Sequence, residues 1–345
     1  MDYTGLDFGK LRFPKNRPVT TEERANQLSK SERASDSPNG YLSVISIGED
    51  CLELVDRWYP VKGFNAWLGM MLGLMIIPGF FYFIFVFFSS GYSIGDVESW
   101  IIWLFVLVAL PVFAFIVCGV SWLIRSECFR WTHYPMRLNR RTRKVHLFRQ
   151  DGTVLTADWD SLLVCIASAH SPPMGKTSDL RAHVLSDDGM TVLESFTLGY
   201  VFLGGEEDLL HLWELVRRYM AHEAGGELMG EDPVFVPVLG RKEGFEFGVA
   251  RTFAPMIHWP LMQLVVALPF AFIALSRWLA MSTSRIPEWP EEVLRESDSS
   301  MSSVGQLDWR NNAPLGFKDK GWPMICTALG VLLGCSIVGY IGAAL

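Results

Sequence analysis

The sequence is poor in several things, and each shortage closes off a class of function. Its six cysteines form no CxxC pair, so neither a zinc ribbon nor a thioredoxin-like redox motif is encoded. Basic residues are outnumbered, 30 Lys and Arg against 37 Asp and Glu. A net charge of −7 lacks the electrostatic footprint of a nucleic-acid binder. Charged residues make up only 19% of the chain while half is apolar, and the mean hydropathy is positive. That balance is unusual for a soluble domain. Residues 1–40 carry charges such as Lys10, Arg12, Glu22 and Glu23 but no apolar run to serve as a signal-peptide core. Membrane insertion is therefore expected to begin at an internal helix.

The apolar residues gather in four blocks. They define the expected fold, a polytopic α-helical membrane protein with four transmembrane helices. Residues 65–88 and 100–124 are free of charge, and a bilayer core needs about 20 apolar residues. Residues 255–279 contain His258, Gln263 and Arg277 around an apolar centre, with Arg277 expected to snorkel to the interface. Residues 322–345 are again free of charge. Pro78, Pro111, Pro260 and Pro269 each remove a backbone hydrogen bond and are expected to kink their helices.

Small residues recur in pairs at four-residue spacing: Gly69 and Gly73, Gly330 and Gly334, Gly339 and Ala343. Such pairs let helix backbones approach closely. A helix-packing or partner-binding face and ordinary bundle packing both produce this pattern.

Charge sets the expected orientation. The link SSGYSIGDVE between the first two blocks has no Lys or Arg, whereas residues 125–254 open with Arg125, Arg130, Arg137, Arg140, Arg141, Arg143 and Lys144. The positive-inside rule then makes 125–254 cytoplasmic and the link external. The N-terminus and C-terminus follow as cytoplasmic, in a bacterial inner membrane. Residues 280–321 become an external loop, although Arg285, Arg295, Lys318 and Lys320 argue against it.

The polar part reads as an α+β, β-rich cytoplasmic domain. Residues 41–64 begin with an alternating stretch around a Gly-Glu-Asp turn, a first β-hairpin. The transmembrane hairpin, 65–124, interrupts the domain. Asp151-Gly152 and Asp187-Asp188-Gly189 mark two further hairpins in 125–254. Residues 206–223 place Leu209, Leu210, Leu212, Trp213, Val216 and Met220 on one face of an amphipathic helix. Strands closed by one helix suggest a pleckstrin-homology-type roll. Residues 1–40 and 280–321 are rich in Ser, Pro and charge and are expected to be loop-like.

Chemical motifs are sparse. Gly175-Lys176-Thr177 ends like a P-loop, but His170 stands where the first glycine is needed, and Pro172-Pro173 removes two backbone donors. No nucleotide and no nucleic-acid partner is expected. The seven histidines show no HExxH or other ligand spacing. Asp158 and Asp160 flank Trp159 as solvated strand residues. No apolar block carries a central carboxylate, which counts against a transporter or channel. No catalytic, cofactor-binding or metal-ligating set emerges, so neither an enzyme nor a cofactor is expected. The run Arg137, Arg140, Arg141, Arg143 and Lys144 is a topology signal. Beside anionic lipid it also becomes a headgroup contact, at roughly 1 kcal/mol per residue.

The stretch YPMRLNRRTRKVHLFRQDGTVLTADWDSL, residues 134–162, resembles an uncharacterised proteobacterial family of membrane proteins. The resemblance extends over about residues 40–220. Members of that family look like neighbours of type VI secretion effectors, including colicin-like pore formers. The resemblance implies an immunity protein whose partners are membrane lipid and a cognate effector toxin. It implies no active-site residues. Residues alone leave two other readings open, a membrane-anchored scaffold or sensor and a small transporter or channel.

Overall fold

The computed structural model describes residues 13–89, 99–171, 175–203, 206–221, 227–229, 233–298 and 306–344. The chain divides into a sheet unit, built from 1–61, 131–247 and 286–316, and a helical unit, built from 62–130, 248–285 and 317–345.

The sheet unit contains β1 (Arg17–Pro18), β2 (Val44–Ile47), β3 (Cys51–Leu54), β4 (Met136–Asn139), β5 (Lys144–Phe148), β6 (Val154–Asp158), β7 (Leu163–Ser171), β8 (Gly175–Leu185), β9 (Thr191–Leu203) and β10 (Leu307–Asp308). One sheet has the order β1-β9-β8-β7 and the other β10-β2-β3-β4-β5-β6, with every pair antiparallel. The expected hairpins are present. Gly152 and Gly189 adopt positive φ at the turns, and Asp151 and Asp188 accept the N–H groups of Thr153 and Met190. The helix expected over 206–223 is α4 (Glu206–Met220), after α1 (Thr21–Ala25), α2 (Phe64–Ser89) and α3 (Ser99–Glu127). Its Leu209, Leu212, Trp213 and Val216 join Leu52, Leu138, Trp159 and Phe196 in one core, with the Trp159 and Trp213 rings stacked at 5.8 Å. Leu210, placed on the same face by periodicity, is only half-buried.

Two segments expected to be loop-like hold only short regular elements, but they are tied to the sheets by specific bonds. In 13–40, β1 pairs with β9 and Thr20 with Glu23 forms a capping box on α1. Lys30 Nζ donates to the carbonyls of Trp159, Asp160 and Leu162 at 2.6, 3.0 and 2.7 Å. Lys30, one of the charges that suggested a loop, is thus a partner of the sheets. Residues 1–12 lie outside the described residues.

The second correction concerns 280–321. Its part 286–316 belongs to the sheet unit. There β10 pairs with β2, and α8 (Glu291–Asp298) binds Lys144 through Glu296 at 2.7 Å. A segment bonded to β2 is not an external loop across a membrane from it. Residues 299–305, like 90–98 of the expected external link, lie outside the described residues.

Among the described residues three helices are long and apolar enough to cross a membrane, over Tyr59–Val86, Leu107–Glu127 and Phe317–Tyr340. The last includes α9 (Trp322–Ala344), after α5 (Phe245–Phe253), α6 (Pro260–Val265) and α7 (Ala267–Thr283). The fourth expected span, 255–279, is broken. Pro255 and Pro260 each start a new helical piece, and Pro269 sits in the first turn of α7, where a missing N–H costs least. The longest piece, α7, has 17 residues, about 26 Å of helix against a hydrocarbon core of about 30 Å.

Gly63 is the tightest requirement at the start of α2. Its φ is +97°, and a Cβ there would lie 2.5 Å from Arg277 N. Gly63→Ala is expected to destabilise the detergent-solubilised protein by about 2 kcal/mol or more. Gly79→Ala, whose Cβ meets no atom within 4 Å, is the matched control in the same thermal melt.

Candidate functional site

The basic run lies along β4, the following turn and β5, and the fold supplies it with partners. Arg137 pairs with Glu53 at 3.0 Å and lies over the Trp289 ring. Arg140 covers Tyr219, with its guanidinium 5.1 Å from the ring centroid. Arg143 binds Asp160 and the Met220 carbonyl. Lys144 pairs with Glu296, and Arg141 donates to the Glu296 carbonyl at 3.1 Å. Arg137 and Arg140 are buried, whereas the side chains of Arg141 and Lys144 keep 47% and 40% of their surface. A headgroup contact by the whole run is therefore narrowed to its exposed members.

The small-residue faces divide. Gly69 and Gly73 face α3, where added Cβ atoms would lie 2.9 Å from Ile124 and 3.2 Å from Val120. At Gly330 a Cβ would overlap the Ala267 carbonyl, so only glycine fits. At Gly334 it would meet the Phe272 ring at 2.8 Å. Gly339 meets nothing within 4 Å, and Ala343 is exposed. The first half of α9 is thus packed on α7 and the second half is open.

A polar cluster sits where α2 begins and α3 ends. Glu127, the last residue of α3, accepts the N–H groups of Gly63 and Ala66 at 3.0 and 2.9 Å, capping the exposed donors of α2. Ser276 Oγ donates to the Gly63 carbonyl at 2.7 Å. Arg277 reaches the Lys62 carbonyl at 3.4 Å and is 1% exposed. It does not snorkel, because the cluster supplies the polar surroundings that water would.

A second cluster, on the β1-β9-β8-β7 sheet, has little trace in the sequence. His183 Nδ1 lies 2.7 Å from Ser195 Oγ, and Nε2 lies 3.3 Å from Glu23 and 3.6 Å from Cys165 Sγ. Counting outward from the turn at Gly189 would pair His183 with Glu194; an irregularity between Val184 and Leu185 shifts the register and brings Ser195 opposite instead. Glu23 arrives from α1 and is not legible in that register. Burial pushes the His183 imidazole down to about 4, against the pull of Glu23. Burial raises Glu23, but Arg17, the Thr20 N–H and His183 outweigh it and hold the carboxyl at about 2. These residue types suit nucleophilic chemistry. Ser195 is 3% exposed and His183 fully buried, so the hydroxyl is closed to a substrate in this arrangement.

The would-be phosphate motif, residues 175–177, starts β8, where Lys176 pairs with His170. Its side chains lie outside the described residues. His258 is exposed beside Trp259. Among the described residues no group of three or more His, Cys, Asp or Glu is arranged to hold a metal.

The model of a family of unknown function, DUF6708, matches residues 110–301, and the chain belongs to that family. No curated protein and no solved structure gives a significant match.

The His183 cluster predicts acid sensitivity. The folded pKa of about 4 lies below the unfolded 6.5, so the unfolded chain takes the proton first. Stability from neutral His183 is complete above pH 6.5 and is lost as pH falls towards 4. Glu23 contributes above 4.5 and loses its effect towards about 2. The melting temperature is expected to fall between pH 6.5 and 4, and His183→Asn to flatten that window alone. At constant neutral pH, Glu127→Ala is expected to cost about 2–4 kcal/mol in the same melt, from two N–H groups left without an acceptor.

Proposed function

We propose that this member of the DUF6708 family is a bacterial inner-membrane immunity protein. It neutralises a type VI secretion effector, a membrane-targeting or pore-forming toxin, by direct binding and without catalysis. The stretch 134–162 supports this through the family it resembles. The observation that carries it is the second half of α9. Val338 and Tyr340 there are exposed apolar side chains, and Gly339 has no neighbour within 4 Å. Small residues on an apolar helix admit a second helix at close range. A toxin helix in the same bilayer is the partner of matching chemistry.

The sheet unit is cytoplasmic in this proposal, following the basic residues that flank α3. It is a pleckstrin-homology-type roll: β2–β6, then β7–β9, then α4 against the shared core. The contact with the toxin falls on α9 rather than on 280–321, because 286–316 is committed to the sheet unit.

Cells expressing the chain are expected to survive delivery of the cognate effector to the periplasm. The double variant Gly339→Leu with Ala343→Leu is expected to lose protection at unchanged protein level. Killing that is unaffected by the wild-type chain would sink the proposal.

A further inference from the structure

The segment between Gly248 and Arg285 leaves the sheet unit and comes back to it. Phe247 and Ile286, which flank it, both belong to that unit. A folded polar unit occupies one side of a bilayer, since its hydrogen-bonded strands and charges do not straddle hydrocarbon. The segment therefore makes no net crossing, whatever its depth.

Its construction suits one leaflet. The chain turns at Ile257–Trp259 between the short helix Ala254–Met256 and α6, and again at Val266. Such breaks free backbone carbonyls, which are tolerated near hydrocarbon only when satisfied. Gln263 Nε2 donates to the Met256 carbonyl at 2.8 Å, and Trp322 Nε1 donates to the Pro260 carbonyl at 3.2 Å. Around these bonds the surface is apolar and open: Trp259 is 67% exposed, Leu261 77% and Val265 77%. Tryptophan at a break of this kind belongs to the headgroup boundary. The same segment packs on α9 through Gly330 and Ala267, so its open face is continuous with a candidate span.

We infer that residues 248–285 form a one-leaflet membrane segment whose open face is covered by lipid acyl chains, and that the two ends of the chain lie on opposite sides of the membrane. The second part follows from parity. Among the described residues three helices are long and apolar enough to cross, over Tyr59–Val86, Leu107–Glu127 and Phe317–Tyr340, and the segment adds no crossing to theirs. The C-terminal end of α9 then faces away from the compartment that holds the sheet unit, which overturns the cytoplasmic C-terminus expected from four spans. Nothing in this depends on a toxin.

The test is a pair of reporter fusions to the full chain in a bacterial host, alkaline phosphatase and green fluorescent protein, each placed at Met1 or after Leu345. The expected result is opposite reporters active at the two ends. The same reporter active at both ends overturns the parity. Epitope tags inserted after Lys242 and after Asn312 of the full chain give a second reading. Both are expected on the side of the N-terminus, and tags found on opposite sides overturn the one-leaflet segment.

Discussion

Everything in this molecule hangs on one closure. The chain leaves the sheet after β3, runs through two membrane-length helices, and returns as β4 directly beside β3, with Leu52 opposite Leu138. Strand neighbours lie about 5 Å apart. The excursion must therefore end almost where it began. Within the helical unit the same demand is met by Glu127, whose carboxylate closes the end of α3 onto the first N–H groups of α2. Gly63, which only a residue tolerant of positive φ can occupy, makes room for Arg277 at that junction.

The sheet unit is assembled from three separate stretches, and polar and ring contacts hold them to one another. Glu214, fully buried in α4, accepts the Ala34 N–H and binds Arg217 and Arg218. Trp289 donates to Glu53 and meets Phe148 edge to face. Such bonds carry their weight because they are buried, where an unmade partner costs more than an exposed pair is worth. The basic run belongs to this scheme. Most of its charge serves the fold.

Hairpins with Asp-Gly turns, the amphipathic α4 and the apolar α2, α3 and α9 were legible in the sequence, because each is written in local periodicity. The third block departs from a single span for a reason visible in its prolines. Average hydropathy does not register that Pro255 and Pro260 restart the helix rather than bend it. The attachment of the N-terminal arm and of 286–316 is not legible locally, because it comes from partners far along the chain: Lys30 on Trp159, Glu296 on Lys144. Glu127 and Arg277 escaped for the same cause. The open half of α9 was visible as a small-residue pattern, but which of those residues were already occupied was not.

The split construction of the sheet unit dictates a schedule for synthesis. β3 emerges long before its neighbour β4, with the whole of α2 and α3 made in between. At roughly 5–20 residues per second that delay lasts on the order of several seconds. β2 waits longer, since β10 is the last strand to be made. For all that time its outer edge offers unpaired backbone groups to any passing strand. The helices α2 and α3 are thus complete before the unit they interrupt has a core. A cell making this protein quickly must therefore shelter a half-built sheet with open edges.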